Sequence, residues 1–195
     1  MLHRLGVNMG PPFWQVSDDE TDLNFYEPYD LSWHLRNWFD EPRGIERVPA
    51  ANRIRFLKCW GELQESVRPG PIGAKHPLLS LCGPDLVAAW GSGTRFIWSW
   101  RPFEESVAGI ERRQWLNGYE ASLQQKLWEA LNDFERSHPE VVRIDWRHVK
   151  SDPARAAREL ASLAGIEPSA AQLQTAAEFV RQAVPSKRPW WRITG

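Results

Sequence analysis

The sequence predicts a single helix-rich α/β domain in which a parallel sheet of three to four strands is flanked by helices. Segments rich in β-branched and aromatic residues alternate with segments that are apolar at helical spacing. Such alternation is typical of parallel strands joined by helical crossovers. The 195 residues are predicted to form one domain, residues 1–195, because no linker, repeat or low-complexity stretch divides them.

Three segments are predicted strands. Residues 71–75 form a short extended segment, and Pro77 disfavours helix at the residue before it. Residues 94–100 give the strongest strand prediction, since they are aromatic and β-branched and follow a Gly-Ser-Gly turn. Residues 141–145 form the last predicted strand.

The helical segments are predicted from apolar residues spaced three and four apart. They are residues 31–39, 52–67 with Asn52 as the N-cap, 78–90 with an interruption at Gly83-Pro84, 102–137 with a kink near Gly118, 152–164 and 169–183. Residues 1–7 have the pattern of the end of an amphipathic helix, and residues 42–49 are predicted to be a connector.

Composition and charge exclude two classes of partner. The formal net charge is −1, so the chain lacks the positive field with which proteins hold nucleic acid or an anionic membrane. No apolar run approaches the roughly 20 residues that span a bilayer. The N-terminal residues are too few and too interrupted for a signal peptide. Cys59 and Cys82 are interpreted as buried thiols of a cytoplasmic protein.

Tryptophan is unusually frequent, with 12 residues against 3 tyrosines. The simpler interpretation is a core rich in tryptophan. The alternative is a set of stacking faces for an adenine ring or a sugar, for which Trp98, Trp100, Trp190 and Trp191 are the candidates.

Cationic or titratable side chains follow each predicted strand, which is where open parallel sheets bind ligands. They are Lys75 and His76, then Arg101, then Asp145, Arg147 and His148. Their recurrence predicts an anionic ligand, and the alternative is that these strand ends are simply solvated. The phosphate-loop pattern G-x-x-x-x-G-K-[ST] does not occur, nor does a metal-ligand cluster or a G-x-S-x-G motif.

Five stretches together resemble bacterial sulfotransferases that use 3′-phosphoadenosine 5′-phosphosulfate (PAPS). Their order along the chain is similar to the order of the motifs in that family, and they cover most of the sequence. They are residues 1–7, Asn24-Phe25-Tyr26-Glu27, Gly73-Ala74-Lys75-His76-Pro77, residues 96–113, and residues 141–166 with their Asp152-Pro153.

The resemblance implies a three-layer sandwich of the P-loop type and a set of site residues. Arg101 would pair with the 3′-phosphate of PAPS, helped by Ser106 or Gly109 at the position of a family serine. Lys187 and Arg188 resemble a C-terminal basic segment near that phosphate, and a solvated tail explains them equally well.

The same resemblance places Lys75 beside the bridging or leaving oxygen during in-line transfer. His76 is the candidate general base, and Glu27 is a rival base or an acceptor-site residue. This chemistry requires no metal. The acceptor hydroxyl is expected to belong to a small molecule or a glycan.

Two departures from the family pattern bear on activity. The family's first strand and phosphate loop would precede Met1, and without them we expect a gap in the sheet. A truncated reading frame explains this, as does another segment or chain that fills the gap. The family serine lies eight residues after the arginine, where this chain has Gly109.

The expected function is therefore sulfuryl transfer from PAPS to a hydroxyl, or descent from enzymes that catalyse it. A non-catalytic scaffold that binds a nucleotide or a glycan is one alternative. Another is an interaction protein, as a homo-oligomer or with a partner chain that completes the sheet. A kinase-like enzyme is a weaker alternative, because no lysine of a standard phosphate loop and no evident magnesium carboxylate are present.

Overall fold

The computed structural model describes residues 1–13, 27–40, 43–111 and 118–183, which form a helix-rich α/β structure with a small parallel sheet. Its elements are the 3₁₀ helix Leu2–Leu5, α1 (Tyr29–Trp38), β1 (Phe39–Asp40), β2 (Ile45–Glu46), α2 (Ala50–Val67), the 3₁₀ helix Pro77–Cys82, α3 (Gly83–Trp90), β3 (Ile97–Trp100), α4 (Phe103–Glu111), α5 (Glu120–Ser137), β4 (Val142–Asp145), α6 (Trp146–Ser151), α7 (Pro153–Ala164) and α8 (Ala170–Ala183).

The parallel sheet consists of β3 and β4. Ile97 pairs with Val142, and the register continues to Trp100 opposite Asp145. The prediction of these two strands and of their parallel orientation is confirmed. Strand β3 begins three residues later than predicted, because the turn closed by the Thr94 N–H on the Gly91 carbonyl precedes it.

The predicted sheet of three to four parallel strands is larger than the one in the described chain. The segment 71–75 forms only an isolated parallel bridge, in which Asn8 pairs with Ile72. Asn8 donates to the Pro71 carbonyl at 2.9 Å, and Gly73 donates to the Asn8 carbonyl at 2.8 Å. The bridge does not extend because the Gly10 N–H, which would make its next bond, donates instead to Asn8 Oδ1 at 3.1 Å, and two prolines follow.

Helices cover both faces of the β3–β4 sheet. On the face of Ile97 and Ile144, small and apolar side chains of α7, α8 and the 3₁₀ helix Leu2–Leu5 form one cluster. On the face of Trp98, aromatic side chains of α5 form another. A separate core joins α1, α2, α3, α5 and the 3₁₀ helix Pro77–Cys82 around buried leucines and tryptophans. Helix layers therefore lie on both sides of the sheet, as an α/β class requires.

A two-residue antiparallel hairpin, β1–β2, lies where a connector was expected. Phe39 pairs with Glu46, and Asp40 pairs with Ile45. Helix α1 therefore ends at Trp38, one residue before the predicted end, and Phe39 takes an extended conformation in the core. Arg53 of α2 stabilises the hairpin by donating a hydrogen bond to Glu46. Short strands of this kind leave no periodic signal in the sequence.

Several helix boundaries differ from the predictions. Helix α2 begins at Ala50 behind Pro49, so the prediction that Asn52 caps it is wrong. The fixed φ of Pro49 starts the helix two residues earlier. The predicted break at Gly83-Pro84 is the junction between a 3₁₀ helix and α3. A side chain at Gly83 would collide with the Phe134 ring.

Cysteine and tryptophan burial correct one expectation and support another. Cys82 is buried, but Cys59 lies on the outer face of α2 and is exposed, so the prediction that both are buried is wrong. Trp98 is 7% exposed and packs against Trp128, in agreement with tryptophan as a core residue. Trp190 and Trp191 lie outside the described residues. Among the described helices, none combines the length and apolar character of a membrane span.

Candidate functional site

The structure brings Glu27, Lys75 and His76 together. Glu27 immediately precedes α1, whereas Lys75 and His76 follow the bridge at Ile72. Lys75 Nζ donates to Glu27 Oε1 at 2.6 Å, and His76 Nε2 lies 3.7 Å from Glu27 Oε2. The Glu27 and His76 side chains are almost fully buried, whereas that of Lys75 is 47% exposed. The cluster is thus a buried carboxylate with an ammonium group on its solvent side.

His76 is held in one orientation by the backbone after it. Its Nδ1 accepts a hydrogen bond from the Leu78 N–H at 3.1 Å and so caps the 3₁₀ helix Pro77–Cys82. Burial, together with the positive charges of Arg36 and Lys75, lowers the pKa of His76 to about 3. The imidazole is therefore neutral near pH 7, with its proton on Nε2 facing Glu27.

One face of α1 adds residues that the sequence did not single out. Arg36 lies close enough to His76 for its charge to lower the histidine pKa. Tyr29 and Trp33 share the face of Arg36, because positions 29, 33 and 36 fall within one sector of a helix. Their side chains are exposed by 45% and 55%. Apolar periodicity predicts the buried face of α1 and gives no signal for this other face.

Arg101, Ser106 and Gly109 form a second group, at the end of β3 and the start of α4. Arg101 Nε donates to Ser106 Oγ at 3.0 Å, and Ser106 is 4% exposed. The guanidinium lies beside Gly109, where an added Cβ would be 3.4 Å from one of its terminal nitrogens. Because α4 begins at Phe103, Ser106 is one turn along the helix and faces Arg101.

The charges around Arg101 are mixed. Glu104 and Glu105 occupy the first turn of α4, where carboxylates favour the positive helix end. Glu105 is paired with Arg147, which follows β4, so part of this negative charge is neutralised. The residues present therefore fit one phosphate group, with Arg101 and Ser106 as its donors and the start of α4 behind them.

The third predicted strand end has a structural role. Asp145 accepts a hydrogen bond from the Arg147 N–H at 2.7 Å and caps α6. His148 Nε2 lies 3.2 Å from Glu159 Oε2, and Arg155 pairs with the other oxygen of that carboxylate. Lys187 and Arg188 lie outside the described residues. Within the described parts of the chain, no group of three His, Cys, Asp or Glu side chains could hold a metal ion.

Comparison with known proteins gives no relative for this chain: no family model, curated protein or solved structure matches it.

Proposed function

We propose that this chain binds PAPS or its bisphosphate product, and that it transfers the sulfuryl group to an acceptor hydroxyl or derives from enzymes that do. The observation that carries the proposal is the hydrogen bond from Arg101 to Ser106 at the end of β3. It joins a guanidinium and a hydroxyl at the start of α4, where the helix end is positive. These are the groups that a 3′-phosphate requires.

In this proposal the guanidinium of Arg101 makes a bidentate contact with the phosphate. Its Nε is used by Ser106, while the two terminal nitrogens lie beside Gly109. A phosphate at these nitrogens receives two parallel N–H···O bonds from Arg101. The hydroxyl of Ser106 can donate to the same phosphate while it accepts from Arg101.

Glu27 is a better candidate for the general base than His76. The His76 Nδ1 lone pair is occupied by the Leu78 N–H, and its other nitrogen carries a proton. Neither nitrogen can accept a proton from a hydroxyl without breaking this arrangement. The Glu27 carboxylate has lone pairs available, so in this proposal it accepts the acceptor proton while His76 positions it.

In this proposal Lys75 supplies a half-exposed positive charge beside this base. Its half-exposed side chain can turn from Glu27 towards an anionic group at the surface. PAPS, when bound, supplies an activated sulfuryl group, and Lys75 neutralises negative charge near it. Departure of the ammonium also leaves Glu27 Oε1 able to accept a proton.

The acceptor surface in this proposal is the exposed face of α1. Tyr29 and Trp33 present their rings to solvent within two turns of Glu27 along the chain. Asp30 and Asn37 are exposed on adjacent positions of the helix. Rings flanked by an amide and a carboxylate suit a hydroxyl-bearing molecule, since they offer a stacking face and hydrogen-bonding groups together.

The proposal is tested by calorimetric titration with adenosine 3′,5′-bisphosphate. We expect the wild type to bind and Arg101→Ala to bind roughly ten- to a hundredfold more weakly, because one charged pair is lost. Arg136→Ala is the matched control, since the Arg136 side chain is 76% exposed and pairs with Asp133 one turn before it on α5. A folded wild type that does not bind, or equal losses in both variants, would contradict the proposal.

A non-catalytic scaffold is the second candidate function. Gly109 lacks the hydroxyl of the family serine, and the 2.6 Å ion pair holds Lys75 and Glu27 to one another. If the scaffold hypothesis holds, the bisphosphate binds and the binding depends on Arg101, but no labelled sulfuryl group is transferred from PAPS to any acceptor. Transfer that is lost in Glu27→Gln supports the enzyme.

A further inference from the structure

The outer edge of β4 has a defined set of hydrogen-bonding groups. Val142 donates to the Phe96 carbonyl at 3.0 Å, so its backbone faces β3. Because backbone direction alternates along a strand, Ile144 also faces β3, whereas Arg143 and Asp145 face outwards. No described segment pairs with β4 on this outer side, since the sheet contains only β3 and β4.

Four outward groups at this edge lack a partner within the described chain. The Val141 N–H is bonded to the His138 carbonyl, and the Asp145 carbonyl accepts the first hydrogen bond of α6, as an N-cap residue does. The remaining groups are the Val141 carbonyl, the Arg143 N–H and carbonyl, and the Asp145 N–H. They are arranged symmetrically about Arg143.

A groove of about 460 Å³ runs along the same edge. All four residues of β4 line it, and its other wall is formed by His148 of α6 and by Glu159, Ser162 and Leu163 of α7. The edge is therefore accessible to another extended segment rather than covered by a described helix.

We propose that a second copy of this chain pairs antiparallel with β4, with Arg143 opposite the partner's Arg143. In this register each Arg143 N–H donates to the carbonyl of the partner's Arg143. Each Asp145 N–H donates to the carbonyl of the partner's Val141. The four groups of one edge meet the four groups of the other, and all eight are used.

The side chains fit this register on both faces. Val142 lies directly opposite the partner's Ile144, so two β-branched apolar pairs form on the groove side. On the other face the two arginines meet, but each guanidinium is already paired with Glu135 of α5 and lies over the Trp98 ring, 4.5 Å from its centroid. The like charges are thereby neutralised and directed away from the two-fold axis.

Other registers leave some of these backbone groups without a hydrogen-bond partner. A shift by one residue places outward groups opposite inward ones, so the strands cannot bond. A shift by two sets Arg143 opposite the partner's Asp145, whose carbonyl already serves α6. The pairing is isologous and closes as a dimer with a continuous four-stranded sheet.

The test is the molecular mass in solution by sedimentation over a wide dilution series. The wild type is expected to sediment as a dimer that dissociates on dilution. Arg143→Pro removes the outward N–H at the two-fold axis and leaves the β3–β4 bonds intact, so the mass is expected to halve. Arg143→Ala is the matched control, because it removes the side chain but keeps the N–H, and it is expected to remain dimeric.

A covalent cross-link tests the register independently. In a Cys59→Ser background, mild oxidation of Arg143→Cys is expected to give a disulfide-linked dimer, because opposed residues lie about 5.5 Å apart between Cα atoms. A monomeric wild type overturns the proposal. An Arg143→Pro variant that remains dimeric, and that circular dichroism shows to be folded, also overturns it. Preferential cross-linking of Ile144→Cys does the same.

Discussion

Two buried carboxylates, Asp85 and Glu27, each pair with a cation at 2.6 Å, yet their surroundings differ. The cation at Asp85 is Arg53, whose side chain is 4% exposed. The cation at Glu27 is Lys75, whose side chain is 47% exposed. The first pair is enclosed on both sides, whereas the cation of the second pair is half-exposed to solvent.

The Arg53 cluster is a fixed structural network. Arg53 donates to Asp85, to the Val48 carbonyl and to Glu46, so it joins α2, α3 and the β1–β2 hairpin. Its guanidinium nitrogens are therefore occupied by three separate acceptors. The Glu27 cluster instead joins a buried carboxylate, a neutral histidine and a half-exposed cation. The comparison shows that geometry alone does not distinguish the pairs, whereas exposure of the cation does.

The largest expected effect is at the enclosed pair. Asp85→Ala leaves the Arg53 charge buried beside an empty position, so we expect a loss of about 3–5 kcal/mol in the free energy of unfolding. Urea unfolding followed by circular dichroism measures it. The double variant Arg53→Met with Asp85→Leu is expected to recover most of the loss, because the uncompensated charge is gone. A loss below about 1 kcal/mol for Asp85→Ala would show that solvent reaches this pair.

The second-largest expected effect is the pH dependence of stability that His76 introduces in the Glu27 cluster. The pKa of His76 is about 3 in the folded chain, below its ordinary value near 6.5. Between these values the unfolded chain binds the extra proton, so stability is complete above about pH 6.5 and is lost as the pH falls. We expect the loss between pH 6.5 and pH 4 to be a few kcal/mol larger in the wild type than in His76→Asn.

Asparagine is the matched replacement at this position because its side-chain oxygen can accept the Leu78 N–H and keep the 3₁₀ helix capped. Carboxylates titrate in the same range, so the difference between the two unfolding series isolates the histidine. Equal slopes for wild type and variant would mean that water reaches the imidazole and that it is protonated without unfolding.

The sequence predicted more of the fold than of the difference between the Asp85 and Glu27 ion pairs. Strands β3 and β4 follow from their aromatic and β-branched composition, and α7 follows from Asp152-Pro153, whose carboxylate accepts the Arg155 N–H at 3.0 Å. Both signals are local. Lys75 and His76 were found from their place after a predicted strand, but their contact with Glu27 joins residues 48 positions apart along the chain. Apolar periodicity cannot report such a contact.

Distant packing also explains what the sequence did not predict. The β1–β2 hairpin has only two residues in each strand and is held by Arg53. Arg36 affects His76 only because α1 and the segment after Ile72 pack together. For the described residues the number of parallel strands was overestimated, because residues 71–75 have an extended pattern while their partner segment turns away at Gly10, where the N–H bonds to the Asn8 side chain.

The smallest expected effect on stability is at the exposed cation. Lys75→Met leaves the Glu27 carboxylate without its cation, but water already reaches the position of the ammonium group and can take its place, so we expect a loss of only about 1–2 kcal/mol by urea unfolding. If the candidate site is catalytic, the same variant loses sulfuryl transfer while Arg101-dependent binding of the bisphosphate persists. A loss as large as that of Asp85→Ala would instead show that Lys75, like Arg53, is a structural cation. Glu27 would then be a structural carboxylate, since the Lys75 ammonium would stay bonded to its Oε1.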